Sequence, residues 1–204
     1  MSRRVVLASN NAKKLAELRR ILEPLVPDVE VLGLADVASY PEPPETEPTF
    51  EGNALIKARA ALAATGLPSL ADDSGLCVDA LNGMPGVLSA RWSGVARADG
   101  GDAANNRLLL SQLAEVPAER RGARFVCAMA LCVPGGAEVV RLGEMPGRIL
   151  GAVHGEGGFG YDPLFAASGF DVSTAEMAAA DKDAISHRGR ALHAIAPDVA
   201  TAVV

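Results

Sequence analysis

The chain has 204 residues, enough for one large domain or for two lobes that share a substantial core. Hydrophobic residues make up 49% and aromatic residues 4% of it, which is typical of an ordinary α/β protein. A formal net charge of −6 argues against a general nucleic-acid-binding protein, which would carry a basic face.

The first half of the chain alternates predicted strands and helices. Valines predict a buried strand over Arg4–Ala8, and leucines at helical spacing predict a helix over Asn11–Leu25, capped by Asn10 or Asn11. A second strand is predicted over Val29–Leu34. Residues 41–48 are rich in proline and are therefore expected to form a loop.

Four more helices are predicted further along. They are Phe50–Ala64 with Gly66 as its stop, a helix capped by Asp102 that runs through Ala114, a short helix opened by Ser173 and Glu176 as a capping box, and Gly189–Val199. Apolar segments over Arg124–Val133 and Glu138–Gly143 flank Pro134-Gly135-Gly136 and predict a hairpin. The pattern favours a mixed sheet surrounded by helices.

The sequence also predicts a compartment. Arg3 and Arg4 superficially resemble a twin-arginine export signal, but the apolar stretch after them is too short, and no segment approaches membrane-spanning length. Cys77, Cys127 and Cys132 lie in apolar segments without metal-ligand spacing, so we expect buried thiols in a reducing environment. We therefore predict a cytoplasmic protein that does not act at a membrane.

Two adjacent carboxylates, Asp72 and Asp73, follow the short apolar run Leu67–Ala71. Neighbouring carboxylates repel one another, so a pair at a strand end usually shares a cation or holds a proton. The alternative is a polar turn, because Asp, Ser and Gly all form turns.

The segment Ser9–Lys14 joins the first strand to the first helix. Lys13 and Lys14 oppose the helix dipole, an arrangement that is favourable if a phosphate occupies the helix N-terminus. Alternatively they are solvated lysines, since Glu17 and Arg19 suggest an exposed face.

On the next helix, Asn53 and Lys57 are four residues apart and share a face that would point toward the two aspartates. A surface stripe is the alternative. We expect Lys14 and Lys57 to be displayed rather than packed. Glu45 lies in the proline-rich loop, which could be only a stiff linker.

Two late segments suit a ligand with a base and many oxygens. Gly155–Pro163 places Phe159 among glycines, which suits stacking on a base, although a flexible surface loop is the alternative. Lys182 precedes Ile185–Gly189, whose donors lie ahead of a predicted helix. A cap by Ser186 beside exposed side chains is the other interpretation.

Together these segments closely resemble the inosine triphosphate pyrophosphatase family, also called XTP/dITP diphosphatases. The matching motifs follow the family order from about Val5 to Leu192. They are Ser9–Lys14, Thr49-Phe50 with Asn53–Arg59, Ala71–Leu76, Pro85-Gly86 with Ser89–Gly94, Gly157–Pro163 and Ile185–Gly189. The chain departs from the family pattern at Asn10, often glycine, and at Gly52, often glutamate.

The resemblance implies an α/β fold with an elongated mixed β-sheet flanked by helices, two lobes and a central nucleotide-binding cleft. It implies one two-lobed domain over residues 1–204, a homodimer, and Mg²⁺-dependent hydrolysis of ITP, dITP and XTP to the nucleoside monophosphate and pyrophosphate. The expected partner is this small-molecule substrate, with no nucleic acid.

Carried over by motif, the resemblance also implies roles for individual residues. Asp73 resembles the general base and a metal ligand, assisted by Asp72, Lys57 and, at the metal, Glu45. The substrate-binding residues implied are Ser9, Asn10, Asn11, Ala12, Lys13, Lys14, Ser74, Phe159, Gly160, Tyr161, Asp162, Lys182, His187 and Arg188. Among these, His187 and Arg188 would donate to the 6-carbonyl of a deaminated purine.

Two other classes compete with this interpretation. A nucleotide sensor would keep the pocket without turnover, but binding alone does not need a paired base. A phosphatase resembling the haloacid dehalogenases would carry a nucleophilic aspartate at the end of the first strand, where this chain has Ser9-Asn10.

Overall fold

The computed structural model describes residues 3–37, 39–136 and 138–203. Its strands are β1 Arg4–Leu7, β2 Glu30–Leu32, β3 Ser69–Val78, β4 Gly122–Cys132, β5 Glu138–Ile149 and β6 Phe165–Ala167. Its α-helices are α1 Ala12–Leu25, α2 Phe50–Thr65, α3 Gly101–Gln112, α4 Ala179–Ile185 and α5 His187–Ala202. Within these described ranges, no helix is long and apolar enough to cross a membrane.

The strands form one six-stranded sheet in the order β2-β1-β3-β4-β5-β6. Strand β1 pairs in parallel with β2 and β3, with Leu7 opposite Leu70, whereas β5 pairs antiparallel with β6. The predicted mixed sheet with helices is therefore confirmed. The predicted hairpin strands correspond to β4 and β5, which are neighbours in the sheet.

Helix ends follow their local chemistry. Asn11 caps α1, and Thr49 caps α2 by accepting a hydrogen bond from the Gly52 N–H at 3.1 Å. At the other end of α2, Gly66 has φ +68°, the left-handed conformation that glycine adopts without strain. These predicted boundaries are confirmed within two residues.

Three expectations about the elements are wrong. Strand β3 continues through Asp72 and Asp73 to Val78, so the two aspartates lie within a strand and form neither its end nor a turn. Gly100, rather than Asp102, is the N-cap of α3. The Ser173 N–H does bond the Glu176 carboxylate at 2.8 Å, but residues 173–178 form no helix, and the next helix, α4, begins at Ala179.

The chain divides into two compact units. Unit 1 comprises the described parts of residues 1–73, 127–143 and 187–204, and unit 2 comprises residues 74–126 and 144–186. In unit 1, apolar side chains of α1 and α5 pack with those of β1, β3 and β4. In unit 2, α3 packs with residues of β5 and β6 around Phe125 and Phe165. The three cysteines are free and buried, as predicted.

Candidate active site

Asp72 and Asp73 are consecutive residues within β3, and side chains of consecutive strand residues point to opposite faces of a sheet. Asp72 meets Lys14 of α1, with Nζ 2.7 Å from Oδ2, and Arg188 of α5, with Nε 3.5 Å from the same oxygen. Asp73 instead meets Lys57 of α2, with Nζ 3.0 Å from Oδ1. Each carboxylate therefore has its own nearest lysine, and the expectation that the pair shares a cation or holds a proton stays a prediction.

Asn11 sets the start of α1 and so the position of Lys14. Its Oδ1 accepts hydrogen bonds from the N–H groups of Lys13 and Lys14 at 3.1 and 3.2 Å. Two of the backbone N–H groups at the start of α1, which were expected to bind a phosphate, therefore already donate to the Asn11 cap. Lys13 is exposed, whereas Lys14 forms an ion pair with a buried carboxylate and is not simply solvated.

Lys57 is the centre of a second polar cluster. Its Nζ donates to Asp73 and, at 2.9 Å, to Oε1 of Glu45. Asn53, one turn earlier, places Nδ2 3.4 Å from Oδ2 of Asp73 and also binds the backbone of Glu47. The shared face of Asn53 and Lys57 therefore does point at Asp73. The expectation that Lys57 is displayed is wrong, because its relative exposure is 8%.

The two aspartates have opposite pKa shifts. Burial alone would raise the pKa of Asp72, but Lys14 and Arg188 outweigh it and hold that pKa well below its usual range. Burial raises the pKa of Asp73 to about 6, a rise that Lys57 opposes and Glu45 increases. Such a divergence separates a permanently ionised anchor from a carboxylate able to exchange a proton near neutral pH.

Lys57 stays protonated within this cluster. Burial acts to lower the pKa of Lys57, yet the carboxylates of Asp73, Asp72 and Glu45 raise it above its ordinary value. The side chain is thus a fixed positive charge beside Asp73.

Sequence reasoning missed Glu17. This residue was expected on an exposed face, but its relative exposure is 6%, and Oε2 lies 3.3 Å from Nη1 of Arg188. The only available sequence signal was its position three residues after Lys14, on the same side of α1. Arg188 therefore joins the carboxylates of α1 and β3.

His187 and Arg188 lie in the first turn of α5 rather than ahead of it, and both are buried. Gly143 of β5 permits this packing. A Cβ atom at Gly143 would lie 2.1 Å from the backbone oxygen of His187 and 2.5 Å from the backbone nitrogen of Ala191.

Two of the remaining predicted residues of the first loop, Ser9 and Asn10, form hydrogen bonds within the protein. The Ser9 hydroxyl accepts from the Asn11 N–H at 3.3 Å, and Asn10 donates to Glu42 at 2.8 Å. Asn10 and Ala12 are exposed. Their contact with a substrate stays a prediction.

Unit 2 holds the other predicted residues around Asp162. Its carboxylate accepts from Lys182 Nζ at 2.7 Å, the Phe159 N–H at 2.9 Å and the Thr174 hydroxyl at 2.9 Å. Lys182 Nζ also lies 5.6 Å from the centroid of the Phe159 ring. Asp162 thus organises its own loop, with Thr174 as a partner that the sequence did not indicate.

Tyr161 and Ser74 complete the set in unit 2. The Tyr161 hydroxyl donates to the backbone oxygen of Ser89 at 2.9 Å, and burial raises the pKa of Tyr161 above its ordinary value. Tyr161 therefore anchors the loop to the segment around Ser89, while Ser74 is half-buried in β3.

A mixed sheet surrounded by helices, with buried carboxylates paired to lysines, is the framework of an α/β enzyme. The chain belongs to the Ham1 family, whose family model matches residues 5–198.

Relatives span nearly the whole chain. It is 65% identical to a dITP/XTP pyrophosphatase of Nocardia farcinica, covering 97% of this chain and 95% of the relative. It is 58% identical to a dITP/XTP pyrophosphatase of Mycobacterium tuberculosis strain H37Rv, covering 95% and 94%.

Solved structures agree with this assignment. A nucleoside-triphosphatase, also named dITP/XTP pyrophosphatase, of Mycobacterium abscessus is 56% identical with a TM-score of 0.77, covering 95% of this chain and 99% of that one. A HAM1 protein of Coxiella burnetii is 38% identical with a TM-score of 0.84, covering 98% and 99%.

Proposed function

We propose that this protein hydrolyses the deaminated purine nucleoside triphosphates dITP, XTP and ITP to the nucleoside monophosphate and pyrophosphate. The dITP/XTP pyrophosphatases to which it is 65% and 58% identical support the substrate class. The observation that carries the chemistry is Asp73, buried, held by Lys57 and Asn53, with its pKa raised to about 6.

In this proposal Asp73 is the general base. Once ionised, its carboxylate takes a proton from the attacking water, and its pKa near neutrality matches that task. Lys57 fixes the orientation of Asp73 through the 3.0 Å contact. Lys14, held by ionised Asp72, presents positive charge at the start of α1 to the triphosphate.

Glu45 and Asp73 would hold a divalent cation. Among the residues that the structure describes, no group of three or more His, Cys, Asp or Glu side chains is arranged for a metal. Mg²⁺ usually binds one or two carboxylates plus substrate phosphates. The carboxylates of Glu45 and Asp73 both contact the Lys57 ammonium and therefore lie close together, so this pair of oxygen donors fits Mg²⁺. When bound, Mg²⁺ would neutralise charge developing on the phosphates.

The nucleoside contacts of unit 2, and those of His187 and Arg188, are further parts of the proposal. Because Arg188 already pairs with Glu17 and Asp72, Arg188→Ala should lower stability as well as activity. If Arg188 also donates to a 6-carbonyl, this variant compresses the ITP/ATP ratio in kcat/KM. A cytoplasmic homodimer stays a prediction, for which sedimentation and fractionation are the measurements.

Product analysis tests the function. The protein is incubated with Mg²⁺ and ITP, dITP, XTP, ATP or GTP, and pyrophosphate and orthophosphate are measured separately. We expect pyrophosphate from the first three substrates and little turnover of ATP or GTP. Orthophosphate as the first product would indicate a phosphatase, and binding without turnover would indicate a sensor; either result would refute the proposal.

A further inference from the structure

Gly160 lies between two polar side chains of α3. Oδ2 of Asp102 accepts from the Gly160 N–H at 2.9 Å, and Nδ2 of Asn106 donates to the Gly160 carbonyl at 3.0 Å. Residues four apart on a helix lie on one face, so a single helix face reaches both groups. The N–H and the carbonyl belong to the two peptide groups that flank the Gly160 Cα, and both peptide groups are therefore fixed.

The peptide group that precedes Phe159 is also fixed, by a side chain that follows it in the sequence. Asp162 accepts from the Phe159 N–H at 2.9 Å, and Gly160 itself has φ +64°, a conformation that favours glycine. Side chains thus fix three consecutive peptide groups in a segment without regular ladder bonds. Phe159 nevertheless stays half-buried, with Lys182 near its ring. A partly exposed aromatic ring on a fixed backbone is a preorganised stacking surface.

We propose that Asp102 and Asn106 are positioning residues for nucleoside recognition, which act by holding the Phe159–Gly160 backbone in one conformation. The inference rests on the proposed function and adds residues to it that do not themselves contact substrate. Their effect should fall on the affinity for the nucleoside and leave the interaction with the phosphates unchanged.

The two positions differ in the chemistry that they require. Position 102 needs an acceptor, so Asp102→Asn can still accept through its carbonyl oxygen. Position 106 needs a donor. Oδ1 of Asn106 is buried with no hydrogen-bond partner in the described part of the chain, so Asn106→Asp would set a carboxylate against the Gly160 carbonyl without a compensating donor. A general loss of packing would not show this asymmetry.

The test compares Asp102→Ala, Asp102→Asn and Asn106→Asp with the wild type. Steady-state kinetics with ITP give kcat and KM, and inorganic tripolyphosphate, which lacks a base, serves as a competitive inhibitor. We expect KM for ITP to rise about tenfold to a hundredfold in Asp102→Ala and Asn106→Asp, with a much smaller change in kcat. Asp102→Asn should stay near the wild-type KM, and the inhibition constant of tripolyphosphate should not change.

Leu113→Ala provides the matched control. Leu113 is fully buried just after α3 and cannot hydrogen-bond to Gly160, so this variant should lower Tm while keeping KM for ITP. If Asn106→Asp does not fold, the two variants at position 102 decide the question.

An unchanged KM in Asp102→Ala, or a rise matched by the inhibition constant of tripolyphosphate, would overturn the inference alone. A wild type that releases no pyrophosphate from ITP would instead overturn the proposed function, and with it the inference.

Discussion

Replacing Asp73 by asparagine tests the base with two independent measurements. If Asp73 is the general base, kcat for ITP should fall by about 10²- to 10⁴-fold. The same carboxylate should also make the stability of the protein depend on pH, because burial raises its pKa from an ordinary value of 3.8 to about 6.

The sign of the stability effect follows from linkage. The folded state binds the Asp73 proton more tightly than the unfolded state, so the contribution of this group to stability is complete below about pH 4. It is lost as pH rises through about 6. A shift of this size amounts to about 3 kcal/mol, of which about half falls between pH 5 and pH 8. Asp73→Asn cannot ionise, so the difference in unfolding free energy should move toward the variant by about 1–2 kcal/mol over that range.

Urea unfolding at several pH values, with EDTA present to remove divalent cations, measures this difference. The control is Leu113→Ala, which removes a buried apolar side chain and no titratable group, so its difference from the wild type should stay nearly flat with pH. A flat profile for Asp73→Asn, or one that moves toward the wild type at high pH, would refute the argument from burial. Near-normal kcat at saturating Mg²⁺ would refute the role as base.

Three further outcomes concern single residues, and a fourth concerns the cation. Lys57→Ala should lower both kcat/KM and the free energy of unfolding, by up to about 3–5 kcal/mol, because it leaves two carboxylates without their shared cation. Lys13 is exposed, so Lys13→Ala should change stability by less than about 0.5 kcal/mol. A loss of Tm in Lys13→Ala as large as that in Lys57→Ala would contradict this. Gly143→Ala should lower Tm by displacing the backbone at His187. Gly151→Ala should not, because its Cβ would lie 3.8 Å from the nearest atom, Nη1 of Arg121. Identical melting curves for the two variants would disprove the contact at Gly143. EDTA should abolish pyrophosphate release and Mg²⁺ restore it, and full activity in excess EDTA would exclude the proposed cation.

The sequence predicted the local elements well because their signals are local. Asn11, Thr49 and Gly66 determine helix ends through bonds and dihedral angles within a few residues. Strand β3 was different. Its two aspartates suggested a strand end or a turn, because charged residues are costly inside a sheet. The cations that make their burial tolerable come from α1, α2 and α5, which are separate elements of the chain.

The same reason explains the errors about exposure. Lys57 and Glu17 are charged residues on helices, which periodicity alone assigns to a solvated face. Each is buried because a partner of opposite charge arrives from another element, Asp73 for Lys57 and Arg188 for Glu17. The spacing of Asn53 and Lys57 predicted that Lys57 faces the aspartates, but spacing within one helix cannot show that the side chain is buried against them.

The alternation of side chains along β3 means that the two aspartates can be adjusted separately. Changes in α1 or α5 act mainly on Asp72, and changes in α2 or at Glu45 act mainly on Asp73. A substitution that moves the proton affinity of the proposed base therefore need not disturb the anion that holds Lys14. The pH range of such an enzyme could thus be redesigned from one side of the sheet while the other side keeps its ion pairs.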